Sequence, residues 1–389
     1  MAIYLDHAAT TPVRLEVIEL YAAELAGVGN PSSVHGFGQK ARQTVEQARE
    51  DIARAIHCDR NEVIFTSGGT ESDNLAIKGI FAQRNTDASR PIVISSGAEH
   101  HAVIEPIEWL VHERGARAEW VPLDSSGQPD LVWLGEFLGE QGAEVALISL
   151  MWANNETGAV TDISAVTALA AEHGIPVHSD AVATLGHHQI DFAASGLAAM
   201  SITGHKIGSP VGRGALIVGR RTKLQSLLQG GAHERGLRAG TMDAAGSAAF
   251  ARAVELAVAE LPANVGRWAA LQERLIAGVR AVEPNVVVVA ESVPRLRNIT
   301  NLIFEGCSGD SVLFMLDSAG IAISNGSACN AGVTSASHVL LSLGYDQRMA
   351  SSCVRVSFGR LTSEQDIDGF LAALPTALER AKKAGFTSF

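Results

Sequence analysis

Hydrophobic positions along this chain follow two rhythms. From Glu62 onward, short apolar runs are each closed by a glycine or polar turn: Val63-Ile64-Phe65, Ile92-Val93-Ile94, Val145-Ala146-Leu147-Ile148, Pro176-Val177-His178 and Ala215-Leu216-Ile217-Val218. Helically spaced stretches at 71–81, 101–113 and 164–173 separate most of these runs. Apolar runs alternating with amphipathic helices predict a mostly parallel sheet covered on both faces. Upstream, 14–26 and 39–55 read as helices on either side of the turn-forming Gly29-Asn30-Pro31-Ser32-Ser33, and residues 4–12 read as an arm that Pro12 keeps out of any helix. After a long helical region at 243–282 the rhythm changes. Runs at 286–289, 301–304, 321–323 and 354–358 predict strands, interleaved with helices at 310–318, 338–343 and 363–383. The expected fold is therefore α/β, with a large domain over 13–262 and a smaller α+β domain over 263–389 that the arm 1–12 joins.

Length supports this division, because 389 residues exceed one ordinary small core. A formal charge of −12 argues against nucleic-acid binding as the main business and points to small-molecule ligands. The first residues have neither a basic nor an apolar leader region, and no apolar run reaches membrane-spanning length, so a cytoplasmic protein is expected. Cys58, Cys307, Cys329 and Cys353 form no C-x-x-C pair, which suggests neither a disulfide framework nor a structural zinc site.

Ligands of parallel sheets bind where strands end, and the residues found there carry the candidate chemistry. Thr66-Ser67-Gly68-Gly69-Thr70 opens a helix, which offers backbone N–H groups to an anion; a well-capped helix start is the plainer alternative. Glu99-His100-His101 and Met151-Trp152-Ala153-Asn154-Asn155-Glu156 follow the next two strands, and each is also compatible with an ordinary turn. Asp180 ends a buried strand, where a carboxyl needs a cationic partner or a proton. Lys206, in Ser201-Ile202-Thr203-Gly204-His205-Lys206, stands at the mouth of another; desolvation there would make its amine a nucleophile toward carbonyls, whereas the bland reading is a surface lysine on a glycine-rich loop. Together these stations supply an anion cradle, an imidazole, an amide, a carboxylate and a lysine. Pyridoxal 5′-phosphate requires that set: a helix N-terminus for its phosphate, a carboxylate for its ring nitrogen, a stacking group and a lysine for its aldehyde.

These motifs resemble the cysteine desulfurases of the NifS and IscS type, within the class V aminotransferase group of fold type I pyridoxal-phosphate enzymes. The likeness runs from Tyr4-Leu5-Asp6-His7-Ala8-Ala9-Thr10-Thr11-Pro12 to about Arg360. The resemblance implies that Lys206 carries the cofactor and moves the proton at the substrate α-carbon, that His100 stacks on the ring and that Asp180 faces the ring nitrogen. It makes Gly69, Thr70, Thr203 and His205 phosphate ligands. It also gives Thr241, in Gly230-Gly231-Ala232-His233-Glu234-Arg235-Gly236-Leu237-Arg238-Ala239-Gly240-Thr241, to the phosphate of a neighbouring subunit, and so implies a homodimer. In Ser324-Asn325-Gly326-Ser327-Ala328-Cys329-Asn330-Ala331-Gly332, Cys329 becomes the nucleophile that takes sulfur from L-cysteine, for delivery to a sulfur-acceptor protein. Arg355 resembles the arginine that binds the substrate carboxylate, with Asn155 assisting.

Cys58, Cys307 and Cys353 match no family nucleophile and read as packing. Where the family usually carries Asp-Ala-x-Gln, this chain has Asp180-Ala181-Val182-Ala183, so the glutamine that bonds the cofactor phenolate is missing. The chain ends at Thr387-Ser388-Phe389 without the long tail with which some members dock an iron–sulfur scaffold, which leaves the acceptor open: iron–sulfur assembly, transfer-RNA thiolation or DNA modification. Other readings are a C–S or selenocysteine lyase of the same fold, a non-catalytic relative, and a metal hydrolase using His100, His101, His178, His187, His188 and Asp180, though these fit no compact ligand spacing and no metal is expected.

Overall fold

The computed structural model describes residues 2–326 and 336–384; Cys329 lies outside them. Its central sheet has seven strands in the order Val63–Thr66, Gly214–Val218, Ala199–Thr203, Val177–Asp180, Val145–Ser149, Ile92–Ser95 and Arg117–Trp120. Gly214–Val218 runs antiparallel to both neighbours and the remaining pairs are parallel. The interior strands are buried on both faces, as expected of short, continuously apolar runs covered by helices.

Three elements differ from the sequence expectation. Arg117–Trp120 is an edge strand whose exposed, charged residues hide it from a search for apolar runs. Leu131–Gln141 is an additional helix, capped by the Asp130 carboxylate, which accepts from the N–H groups of Val132 and Trp133. The strand before Lys206 is Ala199–Thr203, so it reaches beyond the apolar run into the polar stretch and buries Ser201 and Thr203.

One helix, Ala244–Val282, connects the two halves of the chain and passes through Pro262 without a break. Its first half buries Ala249, Phe250, Val254 and Ala257 in the core beneath the central sheet. Its second half buries Trp268, Leu271, Leu275 and Val279 in a separate core. That second core lies on an antiparallel sheet of Val287–Val288, Ile299–Ile303 and Cys353–Ser357, covered by Gly309–Ser318 and Glu364–Ala384. The arm belongs to this side: Ile3–Tyr4 pairs in parallel with Ile321–Ala322, and Leu5 is buried in the second core.

Candidate active site

A cavity of about 320 Å³ opens at the carboxyl ends of the parallel strands and reaches across to the second core. Lys206, His100, Asp180, Asn155, Gly69, Thr70, His205 and Arg355 all line it. Residues from six separate stretches are thus brought to one place.

The helix Gly69–Arg84 starts at the cavity wall. Gly68 has φ 154° and ψ −173°, and at Gly69 a Cβ would lie 2.6 Å from Val182 Cγ2, so glycine is required for the backbone to come this close. No side chain caps this helix, whereas Asp130, Asp162 and Asp243 cap theirs. Its first N–H groups and the helix dipole are left facing the cavity, which suits an anion. Thr203 Oγ1 lies 3.0 Å from His205 Nδ1, which orients the imidazole at the cavity edge. Burial, then Lys206, lowers the His205 pKa to about 4.

His100 caps the helix His101–Arg114: its Nδ1 accepts from the Ala102 N–H at 3.1 Å, which fixes the ring. Burial first, and the Lys206 charge second, lower its pKa to about 4, so the ring is neutral at pH 7. A neutral ring is suited to lie against an aromatic ligand. Asp180 accepts from the Val182 N–H at 2.8 Å, and burial raises its pKa. Asp73, on the helix that starts at Gly69, lines the same cavity. Burial and the nearby Asp180 push its carboxyl well above the usual range, and its Oδ1 has no hydrogen-bond partner among the described residues. Behind them His178 is locked between Ser149 Oγ and Ser201 Oγ, at 2.9 Å each, with its pKa lowered to about 3 by burial.

On the opposite wall Arg355 is buried. Its Nη2 donates to Asp6 Oδ1 at 2.8 Å and its Nη1 to the Asn155 carbonyl at 3.0 Å, while Nε has no partner among the described residues. A guanidinium with a buried, unused donor beside a cavity is built to receive a carboxylate. The two asparagines divide the work. Asn154 builds the turn, accepting from the N–H groups of Glu156 and Thr157 and donating to the Ala98 carbonyl, which leaves Asn155 at the cavity.

The residues present fit pyridoxal 5′-phosphate. An uncapped helix start made possible by glycines, a carboxyl held by one N–H, a neutral fixed imidazole and a lysine surround a space in the size range of small-molecule pockets. Thr241 stands apart: it lines a different cavity with Ser67, Arg213 and Arg238. Ala183 lines the main cavity and packs with Ala8 and Ala153, so no side-chain amide stands there. Cys58, Cys307 and Cys353 are free thiols, with the Cys353 pKa raised by burial and the Cys58 thiol pushed up to about 12. The histidines of the metal reading do not gather, and no group of three metal-ligating side chains occurs among the described residues. Asp6, Asp73, Glu99 and Glu156 carry no sequence expectation, although Asp73 could have been found one helical turn after Gly69.

Residues 3–370 match the class-V aminotransferase family. The chain belongs to that family. Within the family it is similar to an IscS-like cysteine desulfurase of Mycobacterium tuberculosis (strain ATCC 25618 / H37Rv), 43% identical over 99% of this chain and 98% of the relative. The cysteine desulfurase NifS of Azotobacter vinelandii is 36% identical over 96% of this chain and 92% of its own. Among solved family structures, a NifS-like protein superposes with a TM-score of 0.89 at 30% identity, covering 98% of this chain and 100% of the other. The protein SspA in complex with cysteine gives a TM-score of 0.78 at 30% identity, covering 92% and 98%. NifS- and IscS-type members of the family are thus what the chain matches along nearly its whole length.

Proposed function

We propose that Lys206 holds the cofactor of this enzyme and that Cys329 is the thiol that takes the sulfur. The chain is a pyridoxal-phosphate-dependent cysteine desulfurase of the NifS and IscS type, as its near full-length likeness to enzymes of that name supports. The observation that carries the residue assignment is the convergence of Lys206, Asp180, His100 and Arg355 on one cavity.

When bound, the cofactor supplies a sink for the electron pair released at the substrate α-carbon. The N–H groups at Gly69 and Thr70, with Thr203 and His205, would hold its phosphate, His100 would lie against its ring and Asp180 would pair with its ring nitrogen. A cation there would return the Asp180 carboxyl toward its ionised form. Arg355 binds the carboxylate of L-cysteine beside Asn155, and Lys206 moves the proton at the substrate α-carbon. The Cys329 thiolate attacks the substrate sulfur: the substrate C–S bond breaks, an S–S bond forms, and the products are L-alanine and a Cys329 persulfide. A sulfur-acceptor protein then removes the outer sulfur. The SspA complex, which contains cysteine, supports the substrate.

The position of Thr241, away from the cavity of its own chain, supports a homodimer in which it reaches the phosphate of the neighbouring subunit. Leu15, Val28, Val34 and Phe37 leave apolar surface exposed nearby, and Ser32 lies 3.2 Å from His233 in the Thr241 loop. Among the described residues no helix is long and apolar enough to cross a membrane, which is compatible with the cytoplasm.

The test is a Cys329→Ser holoenzyme. It keeps the visible absorption of the bound cofactor and still changes colour with L-cysteine, but forms no persulfide and no alanine above background. Full sulfur release by that variant would instead identify a C–S or selenocysteine lyase.

A further inference from the structure

Glu156 has no part in the chemistry described so far, yet it is 2% exposed and lines the cavity. Its Oε2 accepts a hydrogen bond from Ser337 Oγ at 2.5 Å. The same oxygen stands against Gly326, where a Cβ would come within 2.5 Å of it. Gly326 and Ser337 lie on either side of Cys329 in the sequence. One carboxyl oxygen therefore accepts from one flank of the thiol-bearing stretch and lies close to the backbone of the other.

The first flank is also tied to Arg355, and the second to the carbonyl before His100. Ser324 exchanges backbone hydrogen bonds with Arg355, at 3.1 and 2.6 Å, and Asn325 Nδ2 donates to Asp310 Oδ1. On the other flank the Ser337 N–H donates to the Ala350 carbonyl, and His338 Nε2 lies 2.9 Å from the Glu99 carbonyl. Glu156 itself is held through its N–H by Asn154 Oδ1, so the turn that offers Asn155 to the cavity also fixes Glu156. Burial pushes the Glu156 carboxyl up, with Ser337 and the nearby Arg355 and His338 acting the other way.

We propose that Glu156 is a positioning residue for sulfur transfer: its Oε2 accepts from Ser337 and lies against Gly326, the two described residues nearest to Cys329 on its two sides that meet this carboxyl, and persulfide formation on Cys329 depends on that contact. This rests on the assignment of the persulfide to Cys329. The chemistry of the transfer is unchanged, and Glu156 acts through the flanks and not on the reacting atoms.

The experiment separates binding from transfer in the holoenzyme. L-cysteine binding is read from the change in visible absorption in a Cys329→Ser background, and persulfide on Cys329 is read by mass spectrometry after rapid mixing and quenching. Glu156→Ala should slow persulfide formation about 10- to 100-fold, the scale of cost for a reacting group displaced by about 1 Å, while the Kd for L-cysteine moves less than about twofold. Glu156→Gln, whose amide oxygen can still accept from Ser337, should restore most of the rate. Ser337→Ala, which removes the bond to Glu156 together with the cap on the Leu340 N–H and leaves the carboxyl in place, should slow transfer about 3- to 10-fold, and Ser337→Thr, which can keep both bonds, should restore it. Wild-type transfer in both Glu156→Ala and Ser337→Ala overturns the proposal. Parallel loss of binding and transfer without rescue by glutamine also overturns it, since Glu156 would then act through the substrate site. If Glu156→Ala fails to fold, Glu156→Gln and Ser337→Ala decide by the same criteria. A persulfide on some other residue of the wild-type enzyme would remove the Cys329 assignment together with this proposal, and is recognisable because it needs no change at Glu156.

Discussion

The two walls of the cavity are held in different ways. On the sheet side each group is fixed by its own neighbourhood: Asp180 by the Val182 N–H, His100 by the Ala102 N–H, His205 by Thr203. On the opposite wall the holders are remote. Arg355 is bound to Asp6 across 349 positions, and Glu156 to Ser337 across 181. A wall made of local motifs is robust to changes elsewhere in the chain, whereas a wall made of remote contacts depends on how the two cores meet.

The largest expected effect comes from breaking the remote wall. Arg355→Lys keeps the charge but loses the planar fork that serves Asp6, Asn155 and a carboxylate together. Losing one charge-assisted hydrogen bond costs about 2–3 kcal/mol, roughly 30- to 150-fold in kcat/KM for L-cysteine. Cofactor absorption and affinity should stay at wild-type values, because the sheet wall does not use Arg355. Steady-state kinetics beside a cofactor titration checks both halves, and a parallel fall in cofactor affinity would show that the walls are not independent.

The same difference explains what could be read from the sequence. Strand runs, the glycine pair at 68–69, Asp180 and Lys206 stand out because their meaning lies within a few residues: a strand ends and a polar group follows. Arg117–Trp120 was not legible, since an exposed edge strand needs no apolar run. Asp6, Glu99 and Glu156 were not legible either. A buried acid is revealed by what surrounds it, and those surroundings come from other parts of the chain. The helix Ala244–Val282 was read as one helical region, but only the structure shows its two halves serving two cores.

A second contrast is in protonation. The sheet side is rich in buried neutral histidines, and His187, which lines a small cavity with Lys206 and packs its ring 5.4 Å from Trp268, has its pKa lowered to about 4, mainly by burial. A histidine whose folded pKa lies below its unfolded value contributes stability above about pH 6.5 and loses it as pH falls toward 4. At pH 5 the loss for a group shifted this far is about 2 kcal/mol. Buried acids such as Glu99 and Asp73, whose folded pKa values are raised, act in the opposite direction, so the wild-type curve alone mixes the two. His187→Phe isolates the histidine. Between pH 7.5 and pH 5.0, urea unfolding of the holoenzyme should lose about 2 kcal/mol less stability in the variant than in wild type. Equal losses would mean that His187 is not kept neutral in the folded protein.

The smallest effect tests the sheet wall where this chain leaves its family. Ala183 packs with Ala8 and Ala153 at the cavity, at the position where the resemblance to cysteine desulfurases implies a glutamine toward the cofactor phenolate. If Lys206 holds the cofactor as proposed, the proton on its nitrogen would be the main partner of the phenolate in the absence of that amide, and the charge of the phenolate would hold it more strongly. Ala183→Gln introduces a competing donor, so the colour change that reports loss of this proton should move to lower pH. A hydrogen bond to a charged oxygen of about 1.4 kcal/mol corresponds to one pH unit, which sets the expected size. Because the amide would act from a strand-end position, L-cysteine affinity at Arg355 should be unaffected. A spectrophotometric titration of variant and wild type that superimposes would mean that the side chain at 183 does not reach the phenolate, and that another group on this wall does the work of the glutamine.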